Sequence, residues 1–255
     1  MYQFKPYRLI PCLLLSDQGL VKTKKFKDPI YIGDAQNIVK IFNDKEVDEL
    51  VILDIDASKE EKPPNFKLIK DIASEAFMPL AYGGGIRSVE DAKKLINSGV
   101  EKIIINTSAF SNPILIREMA DQIGSQSVIV SIDVAKQFFS RRQTVRIKSS
   151  LKDTGLDPIK AAKNVQELGA GEILIHNIDN DGKMNGYDLD LIMSISQNTD
   201  LPIIACGGCS SIKNLRDAIK SGASAAAAGS IFVFHGPLKA ILITFPPNNH
   251  KDLNV

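Results

Sequence analysis

The stretch PLAYGGGIRSVEDAKKLINSGVEKIIINTS, residues 79–108, decides the fold. It opens on a short apolar run ending in glycines. It continues through SVEDAKKLINS (88–98), whose apolar residues recur at helical spacing, and closes on a second apolar run, KIIINTS (102–108). Ser88 with Asp91 three residues later makes a capping-box-like helix start, and Gly99 supplies a stop. The order is strand, helix, strand. The same order returns in PIIACGGCSSIKNLRDAIKSGASAAAAGSI, residues 202–231. Gly84 and Gly85 fall on Gly207 and Gly208, Ser88 on Ser211, and Ser98-Gly99 on Ser221-Gly222. DELVILDID (48–56) likewise pairs with GEILIHNID (171–179), placing Glu49 on Glu172. Self-similarity at this spacing means two equivalent halves in tandem.

Outward from these stretches, apolar runs alternate with charged helical segments. The remaining strand candidates are RLIPCLLL (8–15), ELVILDID (49–56), SVIVSIDV (127–134) and EILIHNID (172–179). With PLAYGG (79–84), KIIINTS, PIIACGG (202–208) and SAAAAGSIF (224–232) they number eight. Near-continuous apolarity marks strands buried on both faces, as in a parallel sheet. Helix candidates occupy residues 33–45, 66–76, 88–98, 112–123, 157–168, 189–199 and 211–221. Eight alternations predict an α/β fold, a single (β/α)8 TIM barrel over residues 1–255, with half-barrels at about 1–123 and 124–255. A doubly wound open sheet is the alternative. Neither half could close a barrel alone, so no domain boundary is expected between them.

Composition excludes several classes. The formal net charge is +1, which gives no pull toward nucleic acid or a membrane surface. No apolar run approaches the ~20 residues of a membrane helix, and the N-terminal segment lacks a signal-peptide cleavage pattern. Three scattered cysteines fit a reducing compartment, so a cytoplasmic location is expected. CGGC (206–209) has CxxC spacing, but no second ligand pair accompanies it as zinc would require. IDNDGKMNGYD (178–188) lacks the ligand spacing and final Glu of a calcium loop. Neither a metal nor an organic cofactor is implied.

Two matched glycine sets point to a ligand. Gly83-Gly84-Gly85 with Asn106-Thr107 lies in one half, and Gly207-Gly208 with Gly229-Ser230 in the other. Glycine lets backbone N–H groups approach an anion, and barrels often hold a phosphate after strands seven and eight. Two such sets on opposite sides of one barrel fit a small molecule with two phosphates. Carboxylates gather at the same strand ends: Asp54, Asp56, Asp133, Asp179 and Asp181. Asp133 ends an apolar strand and is the candidate acid or base; Asp181 sits on a loop able to reach a ligand. For Asp133, a helix cap or an ion pair is the competing role.

IPCL, VKT, DELVILDIDAS, YGGGI, INTSA, GSQSVIVSID, GAGEILIHNIDNDG, GYD, LPIIACGG and AAAAGSIF, in order over about residues 8–235, resemble the cyclase subunit of imidazole glycerol phosphate synthase, the HisF-type barrel of histidine biosynthesis. The resemblance implies a HisH-type glutaminase partner in a heterodimer. Ammonia would pass through the barrel to a bisphosphate ribulosyl substrate, giving imidazole glycerol phosphate and an aminoimidazole carboxamide ribotide. It implies catalytic roles for Asp133 and Asp181. It implies a role in coupling to the glutaminase for Lys22, in a flexible first loop. It implies phosphate binding at Gly84, Gly85, Asn106 and Thr107, and at Gly207, Gly208, Gly229 and Ser230. Finally it implies an ammonia gate of Arg8, Glu49, Lys102 and Glu172, whose opposite charges would close into a salt-bridged ring.

The departure is Leu14. The family has a catalytic aspartate there, and leucine cannot carry a proton. Asp17 lies three residues on, in the loop. The segment between Asp133 and Thr154 and the tail LITFPPNNHKDLNV (242–255) also depart from the family pattern. IPCLLL, VKTKKFKDPIYIGD and LDIDAS are similar to HisF-like paralogues of surface-polysaccharide gene clusters. That similarity implies ammonia supply, alongside a sugar amidotransferase, for converting an acetamido sugar to an acetamidino sugar. Ordinary cyclase activity and a non-catalytic glutaminase activator are the alternatives.

Overall fold

A computed structural model describes residues 7–138, 140 and 142–246. The eight barrel strands are β1 (Arg8–Ser16), β2 (Leu50–Asp54), β3 (Leu80–Gly83), β4 (Lys102–Ile105), β5 (Val128–Lys136), β6 (Glu172–Asn177), β7 (Ile203–Cys206) and β8 (Ala225–Ala228). Each pairs in parallel with its successor. β8 pairs with β1, with Arg8 opposite Ala225, and so closes the sheet. The eight-fold alternation in the sequence is therefore a closed (β/α)8 barrel, not an open sheet.

The outer helices are α1 (Ala35–Asp44), α2 (Phe66–Ala73), α3 (Val89–Asn97), α4 (Ile114–Ile123), α5 (Pro158–Glu167), α6 (Leu189–Ser196) and α7 (Ile212–Lys220), with a single turn, α8 (Ser230–Val233), after β8. Each of α1 to α7 buries an apolar stripe against the outward face of the strands, as Ile69, Ile72 and Ala73 do on α2. Helix starts follow the local chemistry. Ser88 and Asp91 complete both halves of a capping box on α3, and Asp157 caps α5 just before Pro158. Ser88→Ala is expected to lower stability by about 1 kcal/mol, read as a shift in the urea midpoint at unchanged slope.

Strand alternation sorts side chains between two cores. Outward residues join the large core beneath the helices. Inward ones, including Ile10, Val51, Ala81, Ile104, Ile129, Leu174, Ile204 and Ala225, fill the bore. Two insertions depart from the plain alternation. Residues Gly19–Lys24 and Lys27–Asp34 form an antiparallel hairpin continuing β1, where the sequence suggests a flexible loop. Gln143–Ile147 pairs antiparallel with the far end of β5. Thr107–Ser111 is a short helix, so the apolar run that begins at Lys102 ends as strand at Ile105. Ser230–Val233 is helical where SAAAAGSIF reads as strand throughout. The tail from residue 247 lies outside the described residues. No helix among the described residues is long and apolar enough to cross a membrane.

Candidate functional site

Charges sit at the start of the bore. Arg8, Lys102 and Glu172 are the first residues of β1, β4 and β6, and Glu49 immediately precedes β2, so all four point into the same layer. Arg8 bonds Glu49 and Glu172; Lys102 reaches Glu49 at 3.0 Å and Glu172 at 3.2 Å. The four thus alternate in sign around a closed ring. The carboxylates are nearly inaccessible, while Arg8 and Lys102 keep 28% and 21% of their side chains exposed. This partial access to water lessens the desolvation that opposes such a cluster.

Above the ring lies the apolar layer of the bore, and above that two cavities at the C-terminal ends of the strands. One is lined by Asp54, Gly83, Gly84, Asn106, Thr107, Ser131 and Asp133, among others. The other is lined by Lys22, Asp181, Gly207, Gly208, Gly229 and Ser230. Gly83 and Gly84 thus line the first cavity and Gly207, Gly208 and Gly229 the second, while Gly85 lines an adjoining cavity with Gly84, Asn106 and Thr107. Leu14 and His176 line both, so they stand at the partition. Gly207 has φ +97°, and a Cβ there would lie 2.5 Å from the carbonyl oxygen of Asn177, so only glycine permits this turn. At Gly229 a Cβ would collide with Nζ of Lys22. Lys22 is 5% exposed and also donates to the carbonyl of Cys12. Lys22 lies on a strand of the hairpin and lines the second cavity.

The carboxylates separate by role. Asp54 accepts from the backbone N–H groups of Asp56 and Ala57, so it organises its own turn. Asp56 accepts from Ser16 Oγ at 2.6 Å, and Asp179 from the Lys136 N–H at 2.8 Å. These three hold loops. Asp133 faces the first cavity and accepts from Ser131 Oγ at 2.6 Å. Burial raises its pKa, partly offset by His176 and Ser131. Asp181 is opposed by burial but overcompensated by His176 and Lys22, so its pKa falls. It also fastens the hairpin over the barrel, accepting from Thr23 Oγ1 at 3.1 Å and the Phe26 N–H at 3.4 Å.

Several predicted groups have other attachments. The Asn106 amide donates to the carbonyls of Ser131 and Arg146, and Thr107 Oγ1 accepts from the Lys148 N–H. Both line the first cavity while tying strands together. The CGGC cysteines do not pair with each other. Cys206 interacts with Cys12 across the bore, which lowers the Cys12 thiol pKa, and Cys209 lies against Tyr187. His176 was not signalled as a site residue. It reads as one polar break in an apolar strand, yet it is 3% exposed with Nε2 3.4 Å from Asp181 Oδ1, and Phe26 packs edge-on to its ring.

A barrel with an ionic ring at one end, and glycine-lined cavities with buried carboxylates at the other, has the form of a (β/α)8 enzyme. The comparisons are specific. The profile of the histidine biosynthesis protein family matches residues 8–238. A provisionally named imidazole glycerol phosphate synthase HisF-type subunit of Pseudomonas aeruginosa is 49% identical, over 96% of this chain and 98% of its own length. A provisionally named HisF subunit of Leptospira borgpetersenii is 47% identical over 96% of this chain and 97% of its own. The imidazole glycerol phosphate synthase subunit HisF of Alkaliphilus metalliredigens is 42% identical over 89% and 90%. The chain belongs to the histidine biosynthesis protein family and is a barrel of the HisF cyclase-subunit type.

Proposed function

We propose that this barrel receives ammonia from a HisH-type glutaminase bound beneath the ionic ring and delivers it to a phosphate-bearing acceptor at the opposite face. The observation that carries the reading is a single axis through the molecule. On β6 the inward residues run Glu172, Leu174, His176, from the ring through the apolar layer to the partition between the cavities. A bore lined by aliphatic side chains would pass uncharged ammonia and exclude ions, because an unpaired charge there would be costly. The glycine-lined cavities, one holding Lys22, would take the two phosphates of the acceptor.

Leu14 favours the paralogue role over ordinary cyclase activity. It is 3% exposed and lines both cavities where the family carries its first catalytic aspartate, the proton-transfer partner of the one aligned with Asp133. Ammonia handed on to a sugar amidotransferase, for an acetamidino sugar of a surface polysaccharide, fits a barrel with its entrance intact and its ring-closing pair incomplete. Exposed Ile30, Tyr31 and Leu151, on the segments flanking the cavities, would suit such a partner. Ordinary cyclase activity in histidine biosynthesis is the second reading, favoured by Asp133 at its cavity.

Co-expression with a HisH-type glutaminase tests the shared core of both readings. A co-purifying complex whose glutaminase activity rises at least tenfold when the barrel is present is the expected result. A glutaminase neither bound nor stimulated by the barrel would refute the proposal.

A further inference from the structure

We propose that His176 is the proton acceptor for ammonia addition, the first group that ammonia meets on leaving the apolar bore. The inference rests on the reading above, that ammonia arrives through the barrel at a ligand held by the two cavities. His176 has three properties that this task requires. It points inward at the top of β6, directly above Leu174 of the apolar layer. It lines both cavities, so a ligand spanning them must pass over its ring. It is also oriented: Nε2 lies 3.4 Å from Asp181 Oδ1, and beside an ionised Asp181 the ring donates through Nε2, leaving Nδ1 as the base.

The register places it beside the other reactive group. His176 on β6 is the lateral partner of Asp133 on β5, and both side chains enter the bore. Leu14 lies on β1, four strands from β5 around the closed sheet. The missing carboxylate and the histidine are therefore not interchangeable. His176 serves the nitrogen entering from the bore, while Leu14 removes a group needed for later ring closure from the far side.

The step balances as a condensation. The ammonia lone pair forms the C–N bond to an electrophilic carbonyl carbon of the ligand, and the carbonyl π electrons move to oxygen. A proton on the new nitrogen passes to Nδ1 of His176 and is returned to that oxygen. A second transfer lets oxygen leave as water, giving C=N. The imidazolium formed transiently faces Asp181 from the loop after β6 and Asp133 from β5, with Cys12 on β1 nearby; Lys22 of the hairpin in turn faces Asp181. Burial opposes the charged ring, but Asp181, Asp133 and Cys12 outweigh it, and the His176 pKa stands above its ordinary value.

Two measurements test the role, both with the bisphosphate ribulosyl substrate of histidine biosynthesis as probe. The first follows the imidazole resonances of the three histidines, with His176→Gln identifying the signal. Probe binding seen by calorimetry should shift the His176 resonance and its titration midpoint. Binding without a shift overturns the role of His176 alone, and absence of binding overturns it together with the premise that the two cavities hold a bisphosphate ligand. The second measures single-turnover incorporation of ¹⁵N from labelled ammonium, in the Leu14→Asp background where ring closure is not limiting. His176→Gln should slow incorporation by about 10²-fold at nearly constant KM. Plotted per uncharged ammonia, the rate of the His176 form should climb as pH rises through the raised histidine value, because the neutral ring is the acceptor; the Gln form should lack that limb. Equal incorporation with and without His176, or a limb that persists in His176→Gln, would sink the proposal.

Discussion

Leu14→Asp raises ammonia-dependent turnover of the histidine-pathway bisphosphate substrate, starting from a level about 10²–10⁴ below that of an ordinary HisF subunit. The starting deficit follows from what leucine cannot do. Leu14 points into the bore near the end of β1, beside Leu53 of β2, which lines the same first cavity. Asp133 enters from the opposite side of the barrel and is the only acidic group that could act on a ligand from β5. Ring closure needs one group to remove a proton while another donates one, on two faces of the ligand. With Leu14 in place only one face is served. Asp17 does not replace it, for it sits beyond the end of β1 in the turn to the hairpin, at φ +52°. A new carboxylate at residue 14 would enter a partly apolar setting near Asp181 and Lys22, so some loss of stability is expected alongside the gain in rate. Product formation by the purified barrel with ammonium salt, with and without the substitution, is the measurement. Ordinary turnover by the chain as it stands would overturn the paralogue role.

The barrel was legible because parallel strands buried on both faces read as unbroken apolar runs, and eight such runs with intervening amphipathic helices leave few arrangements. The ionic ring was reached through the family resemblance, and its charges make physical sense of it. A charged residue at the start of an apolar strand stands out, and four of them alternate in sign. The hairpin was not legible. VKTKKFKDPIYIGD is mostly polar, and its strands are held by pairing to β1 and by Asp181, a residue 158 positions away from Thr23. Asp54, Asp56 and Asp179 share the strand-end position of Asp133 in sequence, yet their oxygens serve turns and loops. Only contacts separate the two kinds. His176 carried one usable signal. It falls in phase with Glu172 and Leu174, so a register that sends Glu172 into the ring also sends His176 into the mouth. A lone histidine in an apolar strand otherwise reads as a core residue.

The ring at the base yields the second large effect, because removing one member costs far more than replacing all four. Glu172→Ala should lower stability by about 2–3 kcal/mol, and Tm by roughly 4–10 °C. It leaves Arg8 and Lys102 sharing Glu49 alone, although their partial exposure lets water soften the cost. Replacing the whole ring with Arg8→Met, Glu49→Leu, Lys102→Met and Glu172→Leu should restore most of that stability, since a packed apolar layer can match a satisfied ionic cluster. Function separates the two roles. If the ring only bolts the strand starts together, the apolar quadruple variant should support product formation equally well from glutamine, with a glutaminase bound, and from added ammonium. If the ring admits ammonia, the same variant should stay folded and active with added ammonium while its glutamine-driven rate falls at least tenfold. An ammonium-to-glutamine rate ratio unchanged by the quadruple substitution would remove the gate from the proposal and leave the ring as a stabilising cluster.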